Sequence, residues 1–222
     1  MSIRKNIHSI LNSIPKSVTL VAVSKTKPSS AILEAYNAGQ RVFGENKIQE
    51  MALKYEELPK DIEWHMIGHL QSNKVKYMAH FVHLIHGVDS FKTLIEINKQ
   101  ALKHHRVIDC LFQLKIAKED TKFGLSKSDV EAIIASEEFV ALKNINIKGF
   151  MGMATFTEDE SIIRAEFKTL KNNYTIFQKT NALNFNPTIL SMGMSGDYKI
   201  AIEEGSTMIR VGSLIFGERN YL

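Results

Sequence analysis

One cysteine, one tryptophan and four prolines occur in 222 residues, and each scarcity removes a class of protein. The lone thiol, Cys110, cannot close an internal disulfide, so a disulfide-stapled secreted scaffold is excluded. Its apolar setting over residues 107–114 predicts a buried, unreactive side chain. Little proline and no glycine- or serine-rich tract leave no linker and no low-complexity tail. No apolar run reaches membrane-spanning length, and residues 1–14 mix Arg4, Lys5 and His8 among apolar residues, unlike a signal peptide. The expectation is one continuous domain over residues 1–222, in the cytoplasm, with no membrane partner.

Concentrated charge is missing too. Charged residues make up 23% and the formal net charge is +4, but the lysines are dispersed. There is no zinc-finger spacing, no RNP-type aromatic motif and no basic helix, so nucleic acid is not an expected partner.

What is present is a repeat of short β-branched or apolar runs about every 20 to 30 residues, separated by segments with helical spacing. The runs are residues 19–24, 41–44, 62–67, 82–88, 107–116, 145–151, 188–192 and 207–216. Helices are predicted between them at 29–38, 46–58, 71–79, 90–104, 126–136, 159–179 and 196–204. Ser29 or Ser30 and Gly39 mark the ends of the first, and Ser126 with Asp129 marks the start of the fifth. Strand–helix alternation predicts parallel strands, and eight of them predict a closed (β/α)8 barrel, with an open doubly wound sheet as the competing fold. Too little chain follows the eighth run for a last barrel helix, so residues 2–13 are expected to form an N-terminal helix in its place.

The candidate chemistry sits at strand ends. In Val21-Ala22-Val23-Ser24-Lys25-Thr26-Lys27-Pro28 an apolar strand delivers Lys25 to the C-terminal end of the barrel, the functional face of such folds. A lysine there, if desolvated, can form a Schiff base with an aldehyde. Ser191-Met192-Gly193-Met194-Ser195-Gly196-Asp197 combines glycines, the Ser195 hydroxyl and a following helix start, which suits a phosphate. In Arg210-Val211-Gly212-Ser213, alternation puts Arg210 and Gly212 on one strand face, able to address different parts of one ligand.

These segments, together with Phe43-Gly44-Glu45-Asn46, Trp64-His65-Met66-Ile67-Gly68-His69-Leu70-Gln71-Ser72-Asn73-Lys74 and Phe216-Gly217, resemble the pyridoxal phosphate homeostasis proteins over nearly the whole chain, in order. The resemblance implies a monomeric barrel like the N-terminal domain of alanine racemase, with pyridoxal 5'-phosphate held as a Schiff base on Lys25. It makes Ser195 and the amides near Gly212 and Ser213 phosphate ligands, sets Arg210 beside the pyridine nitrogen and puts Asn46 at the rim. Met153, after the sixth strand, is either a cofactor neighbour or a packing residue at the mouth.

An arginine facing the pyridine nitrogen weakens the ring as an electron sink, and the racemases' opposing tyrosine comes from an additional domain for which no segment is seen. The function expected from the resemblance is therefore non-enzymatic: a carrier that limits free pyridoxal phosphate and hands it to apoenzymes. A small monomeric racemase, lyase or decarboxylase is the alternative. A third reading is a phosphate-binding barrel enzyme without this cofactor, in which Lys25 acts as a general base.

Other constellations read as structural. His65 and His69 lack the intervening glutamate of a zinc-protease helix. His80, His83 and His86 recur every third residue through a strand start, which points them in different directions, so no metal is expected. Trp64 reads as core packing, and residues 118–124 as a charged loop that solvation explains, with a lid as the less favoured reading.

Overall fold

The structure, a computed structural model, describes residues 2–117, 123–180 and 182–218. Within them eight parallel strands close on themselves in chain order, β1 Thr19–Val23, β2 Val42–Glu45, β3 Glu63–Met66, β4 Leu84–Val88, β5 Ile108–Gln113, β6 Ile145–Met151, β7 Phe185–Ser191 and β8 Met208–Val211. Closure is made by β1 on β8, where Val21 pairs with Arg210 and Ala22 with Val211. The closed barrel rules out the open sheet, and it leaves no strand edge exposed for intermolecular pairing.

Alternation sorts each strand into two faces. Leu20, Ala22, Phe43, Trp64, Ile85, Phe112, Phe150, Leu190, Ile209 and Val211 face outward into one large core beneath the helices. Val21, Leu84, Leu111, Met151 and Met208 form a smaller cluster inside the barrel. The outer core is tied together by rings: Phe150 lies 5.2 Å from Phe177 and 6.2 Å from Phe185, centroid to centroid. Burying each such side chain contributes roughly 1.5–3 kcal/mol. Trp64 belongs to this layer, 6.1 Å from Phe43, so it packs under helices as expected.

The covering helices are α1 Ile3–Ser13, α2 Ser29–Asn37, α3 Ile48–Glu57, α4 Phe91–Lys103, α5 Lys127–Ala135, α6 Glu137–Val140, α7 Glu160–Phe177, α8 Tyr198–Glu203 and α9 Ser213–Phe216. Gly39 closes α2 at φ +101°. Ser126 and Asp129 form a reciprocal capping box on α5. Helix α1 packs against α2 and α9, filling the position that the sequence left for it, and Asn6 Nδ2 donates to the Ile215 carbonyl at 2.9 Å.

Four parts of the fold differ from the sequence reading. Residues 72–77 form a 3-10 helix instead of an α-helix. Strand β7 starts three residues earlier than predicted, at Phe185, because Pro187 disguises its first half. Strand β8 ends at Val211, and the apolar run that looked like its continuation is α9: Phe216 N–H donates to the Gly212 carbonyl at 2.9 Å. Helix α6 had no counterpart in the sequence reading; Ser136 caps its first turn by accepting from Phe139 N–H at 3.2 Å.

At the C-terminal ends of β2, β3 and β4 the backbone itself is close-packed. A Cβ at Gly68 would lie 2.4 Å from the Asn46 carbonyl oxygen, and one at Gly87 would lie 2.6 Å from the Gly68 carbonyl oxygen.

Candidate functional site

A cavity of about 480 Å³ opens at the C-terminal end of the barrel, and Lys25, Asn46, Met153, Ser195, Arg210, Gly212 and Ser213 all line it. Every site residue picked out from the sequence therefore converges on one place, of a volume suited to a small cofactor. Met153 lines this cavity and also packs on the inner barrel cluster.

Lys25 reaches the mouth because Val21 and Val23 precede it on the inward face of β1. Its segment is fixed from below by groups that the sequence reading did not single out. Lys54 Nζ on α3 donates to the Ser24 carbonyl at 2.8 Å and to Glu45 Oε1 and Glu50 Oε1 at 2.7 Å each. Ser24 Oγ donates to Glu45 Oε1 at 2.6 Å, and Thr26 N–H, at φ +65°, donates to Glu50 Oε1 at 2.6 Å. The Lys54–Glu45 pair is almost fully buried, with side chains 7% and 0% exposed. Burial raises the Glu45 carboxyl above the ordinary carboxylate range, and the Lys54 ammonium only partly opposes this. The i,i+4 spacing of Glu50 and Lys54 was the one sequence signal for this network.

Lys27, the second lysine of the motif, also lines the cavity, but its Nζ is engaged at the edge, donating to the carbonyls of Phe216, Gly217 and Glu218 at 3.1, 3.2 and 3.0 Å. It anchors the segment after α9 across the barrel seam.

Ser195 Oγ accepts from Gly212 N–H at 3.3 Å, so the loops after β7 and β8 meet directly. Asp197 Oδ1 closes the first of these loops by accepting from Met194 N–H at 2.6 Å. A Cβ at Gly212 would approach the Val23 carbonyl oxygen to 3.2 Å, so the loop after β8 packs closely on the end of β1.

Arg210, 4% exposed, donates from Nη1 to Ser191 Oγ at 2.6 Å and from Nη2 to the Gly152 carbonyl at 3.1 Å. Burial lowers its pKa to about 10, with Asp197 opposing, so it stays cationic at neutral pH. Ser191 Oγ also bonds His86 Nδ1 at 3.0 Å, and His86 Nε2 bonds His65 Nδ1 at 3.0 Å. A polar column thus runs down the barrel interior from Arg210. Desolvation holds both rings neutral, His65 at about 3 and His86 well below the ordinary value. Of the histidines read as structural, His65 and His86 are brought side by side on the inner face by the alternation of β3 and β4. His69, by contrast, is exposed, bonded to Asp89 at 2.9 Å and stacked on Phe123.

The rim after β6 is held by Glu166 on α7, which accepts from Thr155 N–H at 2.7 Å and from its hydroxyl at 2.8 Å. Next to it Phe156 is 97% exposed at the cavity's edge. Cys110 is fully buried on the outward face of β5, and burial pushes its thiol well above the usual range. Most of the charged loop at 118–124 lies outside the described residues. Among the described residues no helix is long and apolar enough to cross a membrane.

A closed parallel barrel with a lysine at the end of β1, a serine–glycine loop after β7 and a buried arginine on β8 defines a class, and comparison with known proteins gives the same one: residues 1–220 match the alanine racemase N-terminal domain. Within that class, the chain belongs to the pyridoxal phosphate homeostasis protein family. It is 40% identical to the member from Aquifex aeolicus over 91% of this chain and 87% of the relative, and 36% identical to that from Escherichia coli K12 over 93% and 88%. Solved structures of PipY from Synechococcus elongatus PCC7942, without PLP and with PLP bound, superpose at TM-scores of 0.91 and 0.88, with 36% identity, covering 97% of this chain and all of theirs. The alanine racemase of E. faecalis, 14% identical at a TM-score of 0.73, shares the fold over 58% of its own length.

Proposed function

We propose that this protein binds pyridoxal 5'-phosphate in the cavity at the barrel mouth, keeps it attached to Lys25, and serves in the cytoplasm as a monomeric carrier that limits the free aldehyde and passes it to apoenzymes. The observation that carries this reading is the meeting of Lys25, Ser195, Gly212 and Arg210 around one cavity. The donor set fits the cofactor: an amine for the aldehyde, a hydroxyl and backbone amides for the phosphate, and a fixed guanidinium for the ring nitrogen. Names of relatives and the PLP-bound PipY structure support the same reading.

When bound, the cofactor would supply an electrophilic carbon and a conjugated ring. Arg210 already spends one donor on Ser191 and one on Gly152, so it is rigid, and its positive charge opposes protonation of a ring nitrogen beside it. Among the described residues lining the cavity, the titratable side chains are Lys25, Lys27, Asp197 and Arg210. Lys27 is committed to three carbonyls and Asp197 to a backbone amide, which leaves this wall poorly equipped with a second acid–base group and favours carriage over racemisation.

The test is absorbance and borohydride trapping of the purified protein and of Lys25→Ala. Expected is a visible absorption band of the lysine adduct with the cofactor, and a reduced pyridoxyl group mapped to Lys25, both lost in the variant. A colourless protein with no adduct after incubation with pyridoxal phosphate would sink the proposal. Retention of bound cofactor without turnover of any supplied amino acid separates the carrier from an enzyme.

A further inference from the structure

The opposite end of the barrel carries a second constellation. Glu63 opens β3, His65 follows on the same inward face, and His83 stands just before β4. One ligand atom from each lies within 4.8 Å of the others. Glu63 Oε2 and His83 Nε2 are 3.6 Å apart, and their side chains are 46% and 54% exposed. The His65 and His83 rings lie nearly parallel with centroids 5.7 Å apart. His65 is 2% exposed, and its Nε2 has no hydrogen-bond partner among the described residues.

We propose that Glu63, His65 and His83 form a binding site for a divalent transition metal, zinc being the best match, on the floor of the barrel. An orphaned polar nitrogen buried beside a solvent-facing carboxylate and a second imidazole is a costly arrangement unless a ligand completes it. Two histidines and one glutamate are a zinc donor set, with a fourth position left for water on the exposed side. Donors about 2.1 Å from a tetrahedral ion stand about 3.4 Å from one another, close to the Glu63–His83 separation; rotation of these two exposed side chains brings them toward the fixed His65.

The second ring nitrogen of His65 is already held. Its Nδ1 bonds His86 Nε2 at 3.0 Å, which orients the ring and, with the proton on Nδ1, presents the Nε2 lone pair outward from the column. Metal-ligating histidines are characteristically fixed through their other nitrogen in this way. The proposal is independent of the cofactor reading, since none of the three residues lines the mouth cavity. It lies at the face of the barrel where such folds build stability, so a structural site is the expected type.

The experiment is equilibrium dialysis of the tag-free full chain against zinc, with elemental analysis, which is insensitive to any bound cofactor. Expected is one zinc per chain at micromolar free metal, with affinity lower by at least 10-fold in His83→Ala and in Glu63→Gln, two exposed sites whose substitution leaves the fold intact by circular dichroism. His80→Ala is the control, because His80 and His104 form a separate surface pair with ring centroids 5.7 Å apart. Loss of zinc in the His80→Ala control with retention in His83→Ala, or no stoichiometric zinc in the wild type, overturns the proposal.

Discussion

Arg210 Nη1 donates to Ser191 Oγ at 2.6 Å between neighbouring strands β8 and β7, and neither residue is exposed. The guanidinium is therefore part of the barrel's internal wiring before any ligand arrives. Arg210→Ala should lower stability by about 1–3 kcal/mol, since the Gly152 carbonyl is left unpaired in the interior. Urea unfolding checks it, and Arg210→Lys, with a donor but no fork, is expected to recover only part of the loss.

Lys54 gives a larger effect. Lys54→Met leaves Glu45 buried beside Ser24 with no counter-charge, at a cost of about 3–5 kcal/mol. The double variant Lys54→Met, Glu45→Gln should regain most of that. If the single and double variants unfold at the same urea concentration, the pair does not act as described.

The two interior histidines make stability fall on the acid side of neutrality. Unfolded histidines take up a proton near pH 6.5, whereas folded His65 stays neutral down to about 3 and His86 is lowered well below the ordinary value. From pH 6.5 downward the unfolded chain binds protons that the folded chain refuses, up to about 1.4 kcal/mol per pH unit for each ring. The stabilising state is complete above pH 6.5 and is lost progressively as pH falls toward 3. An NMR titration of the ring carbons should show no His65 protonation above about pH 4; a midpoint near 6.5 would contradict the burial argument.

Glu166 sets the rim after β6. Glu166→Ala removes the charged acceptor of both Thr155 donors, and hydrogen–deuterium exchange at Thr155–Thr157 should quicken by roughly 10-fold, equivalent to about 1.4 kcal/mol. Exchange in β1 should not change, because that strand is pinned by Lys54.

The native thiol of Cys110 should be silent to disulfide reagents at pH 8 and react only after unfolding, since the thiolate is the reactive species and burial suppresses it. A fast-reacting thiol in the folded protein would place Cys110 elsewhere.

Period and punctuation made the barrel readable: apolar runs with caps at Gly39 and Ser126 fixed the order of elements, and the ends of β1, β7 and β8 carried the mouth residues. What stayed hidden has physical causes. Pro187 lacks a ladder donor, so half of β7 did not look like strand. The sequence Leu214-Ile215-Phe216 is apolar enough to pass for strand, but a tertiary contact with α1 decides for helix. The Lys54–Glu45–Ser24 network and the His65–His86 contact join residues 9 to 30 positions apart, and such partners become neighbours only after closure. Strand alternation would have put His65 and His86 on the inner face had it been applied to each strand separately; their mutual distance was beyond it.

The close backbone contacts at Gly68 and Gly87 divide the mouth into two unequal arcs. On the arc of β2, β3 and β4 carbonyl oxygens sit where a side chain at Gly68 or Gly87 would have to grow, so those two positions are closed to variation and only Asn46 and Ile67 present exchangeable side chains to the cavity. The arc from β6 to β8, with Met153, Phe156 and Met194, is built from side chains that can be exchanged. Evolution or a designer seeking a different occupant for this barrel has most freedom on that second arc, and a library around the mouth should leave Gly68 and Gly87 fixed.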